Sequence, residues 1–470
     1  MRILYRFIAF GLSWILIYSC TISRPEVDNS DKISFNVISD DSLLTVVQHK
    51  TFSYYWEGAE PVSGMARERY HVNGIYPQND MNIITTGGSG FGIMALLTGV
   101  HRGFITRKEA VDRLTKIVNF LEKADRYHGA WPHWLNGETG KVKPFSAKDD
   151  GADIVETAFL MEGLLTAKQF FINGNEKEKE LADKIDALWR NVEWSWFTNG
   201  GKNVLYWHWS PKYAFEINLE VRGWDECLIL YVLAASSTTY PISEKVYNEG
   251  WARNGNIISS NEKYGRKLIL KHNYAEEYGG PLFWSHYSFL GLNPTGLSDK
   301  YADYWKVNLN HTLINRQWCV ENPNKYKGYG SKCWGLTASY SMEGYAAHAP
   351  GKDRDIGVIS PTAALSAFPY TPEYSMEALK YFYYEMGDKI FGKYGFYDAF
   401  SINYNWFPQN YLAIDQGPII VMIENYRSGL LWKYFMQNPE IQEGLKKLGF
   451  SFIAESKEGI NTKELIPTEY

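Results

Sequence analysis

Apolar residues recur with the period of an α-helix along most of this chain. Ten such segments cover residues 41–56, 89–101, 107–124, 153–172, 176–191, 224–237, 300–317, 359–367, 373–387 and 417–436. Thr106 and Glu109 have the spacing of a capping box, and Pro372 stands where a helix favours proline at its first position. The pattern therefore predicts an all-α protein.

Long loops rich in Trp, Tyr, Gly and Asn separate these helices, over residues 57–88, 126–150, 195–223 and 319–358. Loops of this length inside a compact domain are usually functional. Short turns join 89–101 to 107–124 and 153–172 to 176–191, so each pair is predicted as a helical hairpin. We expect a single domain over 41–470, a ring of hairpins with the aromatic loops over one end.

Residues 1–20 are typical of an export signal, with two early arginines, an apolar run over 7–18 and a small residue before Cys20. We expect signal cleavage and lipidation at Cys20, with 21–40 as a polar tether. An uncleaved anchor or an ordinary signal peptide is the alternative. The expected protein is a lipoprotein on the periplasm-facing or cell-surface side of a bacterial outer membrane.

Composition removes several classes of function. The net charge of -5 comes from 48 basic and 53 acidic residues with no long run of one sign, so nucleic acid is not expected as a partner. The sequence contains no zinc-binding Cys or His spacing, no nucleophile elbow and no phosphate-binding loop. We expect no metal and no cofactor, and we expect a monomer.

Three cysteines follow Cys20. Cys319 and Cys333 lie in polar, loop-like sequence and are the more plausible pair if the exported protein contains a bridge. Cys227 stands among leucines and isoleucine and is expected to be a small buried residue.

Asp153 and Glu156 open the helix predicted over 153–172. A spacing of three places both carboxylates on one helical face beside the positive helix end. The preceding loop carries His133 and Trp134, which suit a polar binding site. The alternative is a helix whose first turn merely contains favourable acids.

Glu226 directly precedes an uncharged apolar run from Leu228 to Ala235. Desolvation by such a neighbourhood raises a carboxyl pKa and suits a proton donor, so Glu226 is the candidate general acid. Asp225 is expected to face solvent or to cap the helix. A capping role for both residues is the alternative.

Asp415 lies where an aromatic, amide-rich loop meets another apolar helix, and it is the candidate general base. Glu424 lies about two turns further along and is expected to pair with Arg427 in a structural role. Aromatic residues make up 16% of the chain, and Trp334 and Trp406 are candidates for stacking on sugar rings, with packing as the alternative.

Several stretches together resemble the glycoamylase-like domain family, and within it glycoside hydrolase family 144, the bacterial β-1,2-glucanases. The resemblance covers essentially the whole mature chain. It includes Thr51-Phe-Ser-Tyr-Tyr-Trp-Glu57, Gly90-Phe-Gly92, Trp334-Gly-Leu-Thr-Ala-Ser339, Asp398-Ala-Phe400 and Ile414-Asp-Gln-Gly-Pro418.

This resemblance implies an (α/α)6 barrel and metal-independent, inverting hydrolysis of β-1,2-linked glucan or sophoro-oligosaccharides. It also implies roles for individual residues, which agree with those assigned above from local sequence. Asp153 and Glu156 match the acidic pair of the cleft, Glu226 matches the acid and Asp415 the base. Arg67 and Arg69 fall in the substrate groove.

Two stretches depart from many members of the family. Tyr240 stands where many have histidine, and Phe289 ends a His286-Tyr-Ser-Phe289 stretch where many read Gln-Tyr-Ser-His. These departures leave endo or exo action and the preferred linkage open. A glycan-binding protein without turnover and a polysaccharide lyase are the alternative functions.

Overall fold

A computed structural model describes residues 37–452, which all belong to one compact unit. The α-helices in this part of the chain are α1 (Asp40–Trp56), α2 (Thr86–Arg102), α3 (Arg107–Leu121), α4 (Ile154–Phe171), α5 (Glu176–Arg190), α6 (Leu228–Ser236), α7 (Tyr304–Glu321), α8 (Pro361–Leu365), α9 (Pro372–Lys380), α10 (Gly387–Ile390), α11 (Ala413–Ser428), α12 (Leu430–Met436) and α13 (Pro439–Lys447).

All ten predicted helical segments are present, so the prediction of a helix-rich fold is confirmed. The segment predicted over 417–436 is two helices, because Gly429 adopts a left-handed φ of 69° that ends α11. The periodicity missed α10, α13 and two short 3₁₀ turns at Leu282–Ser285 and Tyr287–Phe289. These turns are too short to show a helical period.

Short strands organise the loops. They are β1 (Arg69–His71), β2 (Ile83–Thr85), β3 (Trp134–Asn136), β4 (Val142–Lys143), β5 (Ala152–Asp153), β6 (His208–Trp209), β7 (Glu262–Lys263), β8 (Arg266–Lys267), β9 (Ala338–Ser341), β10 (Gly344–Ala347), β11 (Phe391–Gly392), β12 (Gly395–Phe396) and β13 (Asn410–Leu412). All pairings are antiparallel: β1 with β13, β2 with β3, β3 with β4, β5 with β6, and the sequential hairpins β7–β8, β9–β10 and β11–β12.

Helices α2, α4, α6 and α11 are buried along nearly their whole length, and α6 is apolar on every side. α2 packs between α4 and α11, and α4 also contacts α6. A Cβ atom on Gly90 would lie 2.1 Å from the Phe159 carbonyl oxygen, and one on Gly163 would lie 2.1 Å from the Gly90 carbonyl oxygen. Glycine at these two positions therefore lets the α2 and α4 backbones touch.

Amphipathic helices cover this buried layer. α3 contacts α2 and α5, and α5 contacts α4, so both predicted hairpins are present. The capping box of Thr106 and Glu109 is confirmed, and Asn175 and Glu178 form another at the start of α5. Arg107 joins the two helix starts through a 2.5 Å contact between its Nε and Glu178 Oε1.

Three buried helices begin at the same end of the molecule. β13, β2 and β5 immediately precede α11, α2 and α4, and backbone hydrogen bonds connect these strands to the neighbouring loops. The Ala413 amide donates to the Glu68 carbonyl, and the Ile154 amide donates to the Trp207 carbonyl. The loops are therefore held over the positive ends of these helices.

The structure contains no bridge between Cys319 and Cys333, a pairing that the sequence left open. Cys319 and Cys333 are both buried free thiols, and Cys227 is buried as predicted. Burial raises the thiol pKa of Cys319 and Cys333, so both stay protonated. The polar residues around them in sequence hid the fact that their own side chains point into the core.

The predicted pairing of Glu424 with Arg427 is wrong. Arg102 of α2 holds the buried Glu424 in two hydrogen bonds, of 2.6 and 2.8 Å, and Gln48 donates a third of 2.9 Å. Arg427 instead contacts Asp41 at 2.7 Å and Gln48 at 2.6 Å. Both residues have the predicted structural role, but their partners come from α1 and α2, which local spacing cannot reveal.

The expected signal, Cys20 and most of the tether lie outside the described residues, so lipidation stays a prediction. Within residues 37–452, no helix combines the length and the apolar character needed to cross a bilayer.

Replacing Gly163 by alanine should destabilise the protein, because the new methyl group would force α2 and α4 apart. We expect a loss of about 1–3 kcal/mol in the free energy of unfolding, measured by urea denaturation. Gly330→Ala is the control, since a Cβ there meets no atom within 4 Å. Equal stability of the two variants would contradict the close helix contact.

Candidate active site

A cavity of about 780 Å³ opens beside the start of α6. Both charged and aromatic side chains line it, among them Trp207, Arg222, Glu226, Arg253, Trp284 and Arg354. The mixture suits a polar ligand with apolar faces.

Glu226 lies in the wall of this cavity and is partly buried. Ser288 fixes the backbone here, because its hydroxyl donates to the Glu226 carbonyl and accepts from the Ile229 amide at 3.0 Å. Burial, followed by the charge of Asp225, raises the pKa of Glu226 well above its ordinary value. The sequence prediction of a desolvated carboxyl group agrees with this environment, and the group can donate a proton at neutral pH.

Asp225 caps the turn next to Glu226. Its Oδ1 accepts from the Cys227 amide at 3.0 Å and its Oδ2 accepts from Asn273 at 2.9 Å. Burial raises the Asp225 pKa to about 6, so the residue is charged at neutral pH. That charge helps to keep the proton on Glu226.

Asp415 lies in the first turn of α11 and is buried. The Tyr287 hydroxyl donates to its Oδ1 over 3.4 Å. Burial, followed by the neighbouring Asp398, raises the Asp415 pKa well above its ordinary value. The residue is where the sequence predicted a candidate base, but it is one of two adjacent carboxyl groups.

Asp398 and Asp415 form a hydrogen-bonded carboxyl pair. Asp398 Oδ1 and Asp415 Oδ2 are buried, and neither accepts a hydrogen bond from the described residues, so one proton held between the two carboxyl groups would satisfy both. Burial raises the Asp398 pKa to about 6, while its Oδ2 accepts from the Tyr340 amide at 2.7 Å. At neutral pH the pair therefore carries one proton and one negative charge.

Tyr287 connects the two candidate catalytic groups. Its pKa is raised well above the usual range by burial, followed by the charges of Asp415, Tyr345 and Glu226. The Tyr287 hydroxyl contacts Asp415 and the hydroxyl of the next residue, Ser288, contacts the Glu226 backbone, so one turn connects two segments that are far apart in sequence.

Asp153 and Glu156 form a second acidic region around His133. Asp153 is the N-cap of α4 and accepts from the Val155 and Glu156 amides at 3.0 and 2.9 Å. Its Oδ2 lies 3.0 Å from His133 Nδ1. Glu156 Oε2 accepts from the Gly87 amide, at the start of α2, at 2.7 Å.

The charges in this region oppose one another. Burial disfavours a charge on His133, but Glu156 and Asp153 outweigh it and raise the His133 pKa to about 9. Burial raises the Glu156 pKa to about 7, whereas His133 and His208 overcome burial and lower the pKa of Asp153. His133 is therefore an imidazolium held between carboxylates.

Asp149 extends this acidic region, with Oδ2 3.4 Å from His208 Nε2 and a pKa that burial raises to about 7. The ligand atoms of His133, Asp149 and Asp153 lie within 4.8 Å of one another, which is compatible with a metal ion. The His133 imidazolium already supplies a positive charge there, and it would have to lose its proton to become a ligand.

Arg67, Arg69 and Trp134 border the same loops. Arg69 Nε contacts Glu68 Oε2 at 2.9 Å and its guanidinium lies 5.7 Å from the Trp134 ring centre. Arg67 donates to Asn82 Oδ1 at 3.0 Å. The loop pairing thus brings both arginines close to the acidic region, and their contact with substrate stays a prediction.

The two tryptophan candidates differ in position. Trp334 is fully buried, so its ring packs in the core instead of lining the cleft, and the packing alternative is correct for it. Trp406 is half-buried in the turn that begins at Ser401, whose carbonyl accepts from its amide at 2.9 Å. Its role in binding stays a prediction.

The structure adds four residues that sequence reasoning did not assign to the site: Glu68, Tyr287, Tyr345 and Asp398. Tyr345 lies in β10 opposite Tyr340, whose amide donates to Asp398, and its side chain is more than half exposed. Asp398 did carry a signal, as a lone acid between aromatic residues. Tyr345 carried none, because only the β9–β10 pairing places it opposite Tyr340.

The chain is similar to proteins that cleave β-1,2-linked glucans. The Glycoamylase family model, described as glucoamylase, matches residues 218–439. The structure matches an endo-β-1,2-glucanase from Chitinophaga pinensis, solved with sophorotriose and glucose, with a TM-score of 0.88 and 66% sequence identity. That match covers 88% of this chain and 99% of the other.

Two further matches come from Parabacteroides distasonis. An exo-β-1,2-glucooligosaccharide sophorohydrolase acting at the non-reducing end is 47% identical over 87% of this chain, and the chain spans 58% of the length of that curated relative. A crystal structure of a β-1,2-glucanase matches with a TM-score of 0.83 and 46% identity, covering 88% of this chain and 60% of the other.

Proposed function

The chain belongs to the glycoamylase-like family that includes the β-1,2-glucanases of glycoside hydrolase family 144, and from this premise we propose that it hydrolyses β-1,2-linked glucan or sophoro-oligosaccharides. The observation that carries the proposal is that one 3₁₀ turn contacts both candidate segments: the Tyr287 hydroxyl donates to Asp415 Oδ1 over 3.4 Å, and the Ser288 hydroxyl donates to the Glu226 carbonyl.

In the proposed reaction, Glu226 donates its proton to the glycosidic oxygen as the bond to the anomeric carbon breaks. A water molecule attacks that carbon from the opposite face and gives a proton to the Asp398–Asp415 pair. One product leaves with a new hydroxyl group and the other with an inverted hemiacetal. Direct attack by water needs the two carboxyl groups roughly 6.5–9.5 Å apart.

The charge state of the acid pair supports its role as base. An isolated carboxylate as buried as Asp415 would hold its own proton and accept no other. Sharing one proton with Asp398 leaves a negative charge on the pair at neutral pH, and that charge can accept a proton from water. We therefore assign the base to the pair, with Asp415 as the member that Tyr287 contacts.

The substrate-binding assignments rest on chemistry suited to sugar hydroxyl groups. Asp153, Glu156 and the His133 imidazolium offer charged hydrogen-bonding groups, and Arg69 with Trp134 offers a cation beside an aromatic face. Tyr345 of β10 adds an exposed aromatic ring that can stack on a sugar.

We assign the fold to the (α/α)6 barrels. The parallel packing of α2 against α4 and α11 supports this assignment. Gly87 of α2 lies against Glu156 of α4, and one turn later Gly90 lies against Phe159, so the two helices run in the same direction. Gly417 of α11 lies against Phe91 of α2. Six buried segments each followed by an outer helical segment also fit: α2, α4, α6, Leu282–Phe289, α8 and α11.

The proposed enzyme acts as a monomer anchored by lipid on Cys20 at the bacterial outer membrane. This part of the proposal comes from the N-terminal sequence. Labelling with a radioactive fatty acid and comparison with Cys20→Ser would test it, because the serine variant should incorporate no label.

The amide variants Glu226→Gln and Asp415→Asn should each reduce release of reducing ends from linear β-1,2-glucan by about a hundredfold or more, because each removes a proton transfer. The control Glu220→Gln changes a carboxylate of the same cavity that is already paired with Arg222 and should stay active. Thermal unfolding should show intact folding. Full activity of both amide variants would refute the assignment.

The first sugar product should carry the α-anomeric configuration, because direct attack by water inverts a β-linkage. Proton NMR during the first minutes of hydrolysis, before mutarotation, measures this configuration. A β-product would indicate a covalent intermediate and overturn the inverting mechanism.

The pH profile of kcat/KM should fall on the acid side with a midpoint near 6, because the Asp398 pKa is about 6 and protonation below it removes the negative charge of the pair. Asp225→Asn should leave that limb in place and move the alkaline limb to lower pH, because Glu226 loses the neighbouring charge that raises its pKa. If the acid-side fall in kcat/KM disappears in Asp225→Asn, that fall reports the titration of Asp225 instead of Asp398.

A further inference from the structure

A second hollow of about 530 Å³ lies on the side of the molecule where the 3₁₀ turn Trp194–Thr198 meets β6. We call it the Trp196 hollow, and it is lined mainly by Ser195, Trp196, Asn199, Trp209, Phe215 and Tyr240. Trp196 is 43% exposed and Tyr240 is 40% exposed. Large aromatic rings left this open together are unusual unless they bind something.

The rings are held in fixed orientations. Trp196 stacks on His128 with ring centres 3.8 Å apart, and His128 meets Trp209 edge-on at 4.7 Å. His128 Nδ1 lies 2.9 Å from Glu193 Oε2. One face of Trp196 is therefore packed while the rest of the ring remains open, so a ligand would lose little side-chain entropy on binding.

The polar groups of the Trp196 hollow are mostly neutral. The one carboxylate in its lining, Glu193, already contacts His128, while Ser195 and Asn199 contribute a hydroxyl and an amide. Aromatic faces with neutral hydrogen-bonding groups match a pyranose, whose C–H face is apolar and whose rim carries hydroxyl groups. The lining offers no charge for an ionic ligand beyond the paired Glu193, so an uncharged glycan fits it best.

The Trp196 hollow and the Glu226 cavity are lined by neighbouring residues of the same two chain segments. Trp207 lines the Glu226 cavity, and Trp209, two residues on, lines the hollow. The next loop also borders both, since Phe215 lines the hollow and Leu219 lines the cavity. The Trp207 amide donates to the Leu219 carbonyl at 3.0 Å, which holds these two segments together.

We propose that the Trp196 hollow is an auxiliary binding site that holds a distal part of the same β-glucan chain. The proposal rests on the proposed hydrolase function for the identity of the glycan. Tyr240, where many members of the family have histidine, belongs to this site. Its amide donates to Ser237 Oγ at 3.0 Å and its carbonyl accepts from the Ser195 amide at 3.1 Å, so both edges of the hollow are connected.

Affinity electrophoresis in gels containing linear β-1,2-glucan tests the site in a Glu226→Gln background, which prevents turnover. Adding Trp196→Ala or Tyr240→Ala should weaken binding to the polymer about fivefold to tenfold, the loss expected for one aromatic contact. Tyr264→Ala is the matched control, because it removes a partly exposed tyrosine from the β7–β8 turn outside the hollow. The control should bind as tightly as its parent.

Kinetics in the otherwise unaltered enzyme provide a second measurement. Both hollow variants should raise KM for the long polymer and leave kcat and KM for a sophorotriose substrate unchanged, because hydrolysis of a short oligosaccharide needs only the cavity beside Glu226. Thermal unfolding checks that each variant folds. If Trp196→Ala does not fold, Tyr240→Ala by itself provides the test.

Three results would overturn the auxiliary site. The first is unchanged polymer binding in the folded hollow variants, and the second is an equal loss of binding in Tyr264→Ala. The third is that the two hollow substitutions weaken binding in gels containing a β-1,3-glucan but not in gels containing the β-1,2-glucan. Failure of the hydrolase proposal is distinguishable, since it would appear as no new reducing ends from the unaltered enzyme while binding still depended on Trp196.

Discussion

The close contact of α2 with α4 and α11 determines where the chemistry of this protein lies. Glycines at the contacts let the three backbones run side by side in one direction, so their N-terminal ends meet at the same end of the molecule. The free amides and positive dipole ends there favour carboxylates. Glu156 uses this directly, since it accepts from Gly87 at the start of the neighbouring helix.

Bringing several acids to one end of a buried layer creates a repulsion that the protein relieves in three different ways. The His133 imidazolium lies between Asp153 and Glu156. Asp398 and Asp415 share a proton. Glu226 keeps its own proton because burial and Asp225 disfavour its charge. As a result, Glu226 can donate a proton, the Asp398–Asp415 pair can accept one, and the region around His133 can bind polar groups.

Local sequence predicted the helices well because their apolar periodicity and caps act within a few residues. It also identified Asp153, Glu156, Glu226 and Asp415 as candidates, because each stands at the junction of a polar loop and an apolar helix. It failed where partners come from elsewhere in the chain. Glu424 pairs with Arg102 instead of Arg427, and Trp334 packs in the core although it lies in a segment predicted as a loop.

The sequence by itself determined the helix-rich class, the positions of the helix starts and the acids that stand at them. Only the tertiary structure decided which of those acids share a proton, which face a histidine, and which residues of distant loops, such as Tyr287 and Tyr345, complete the cleft. The physical reason is the distance along the chain over which each kind of interaction acts. Caps and periodicity depend on neighbours along the chain, whereas desolvation and charge coupling depend on distances in space, which the fold sets for residues as far apart in sequence as Tyr287 and Asp415.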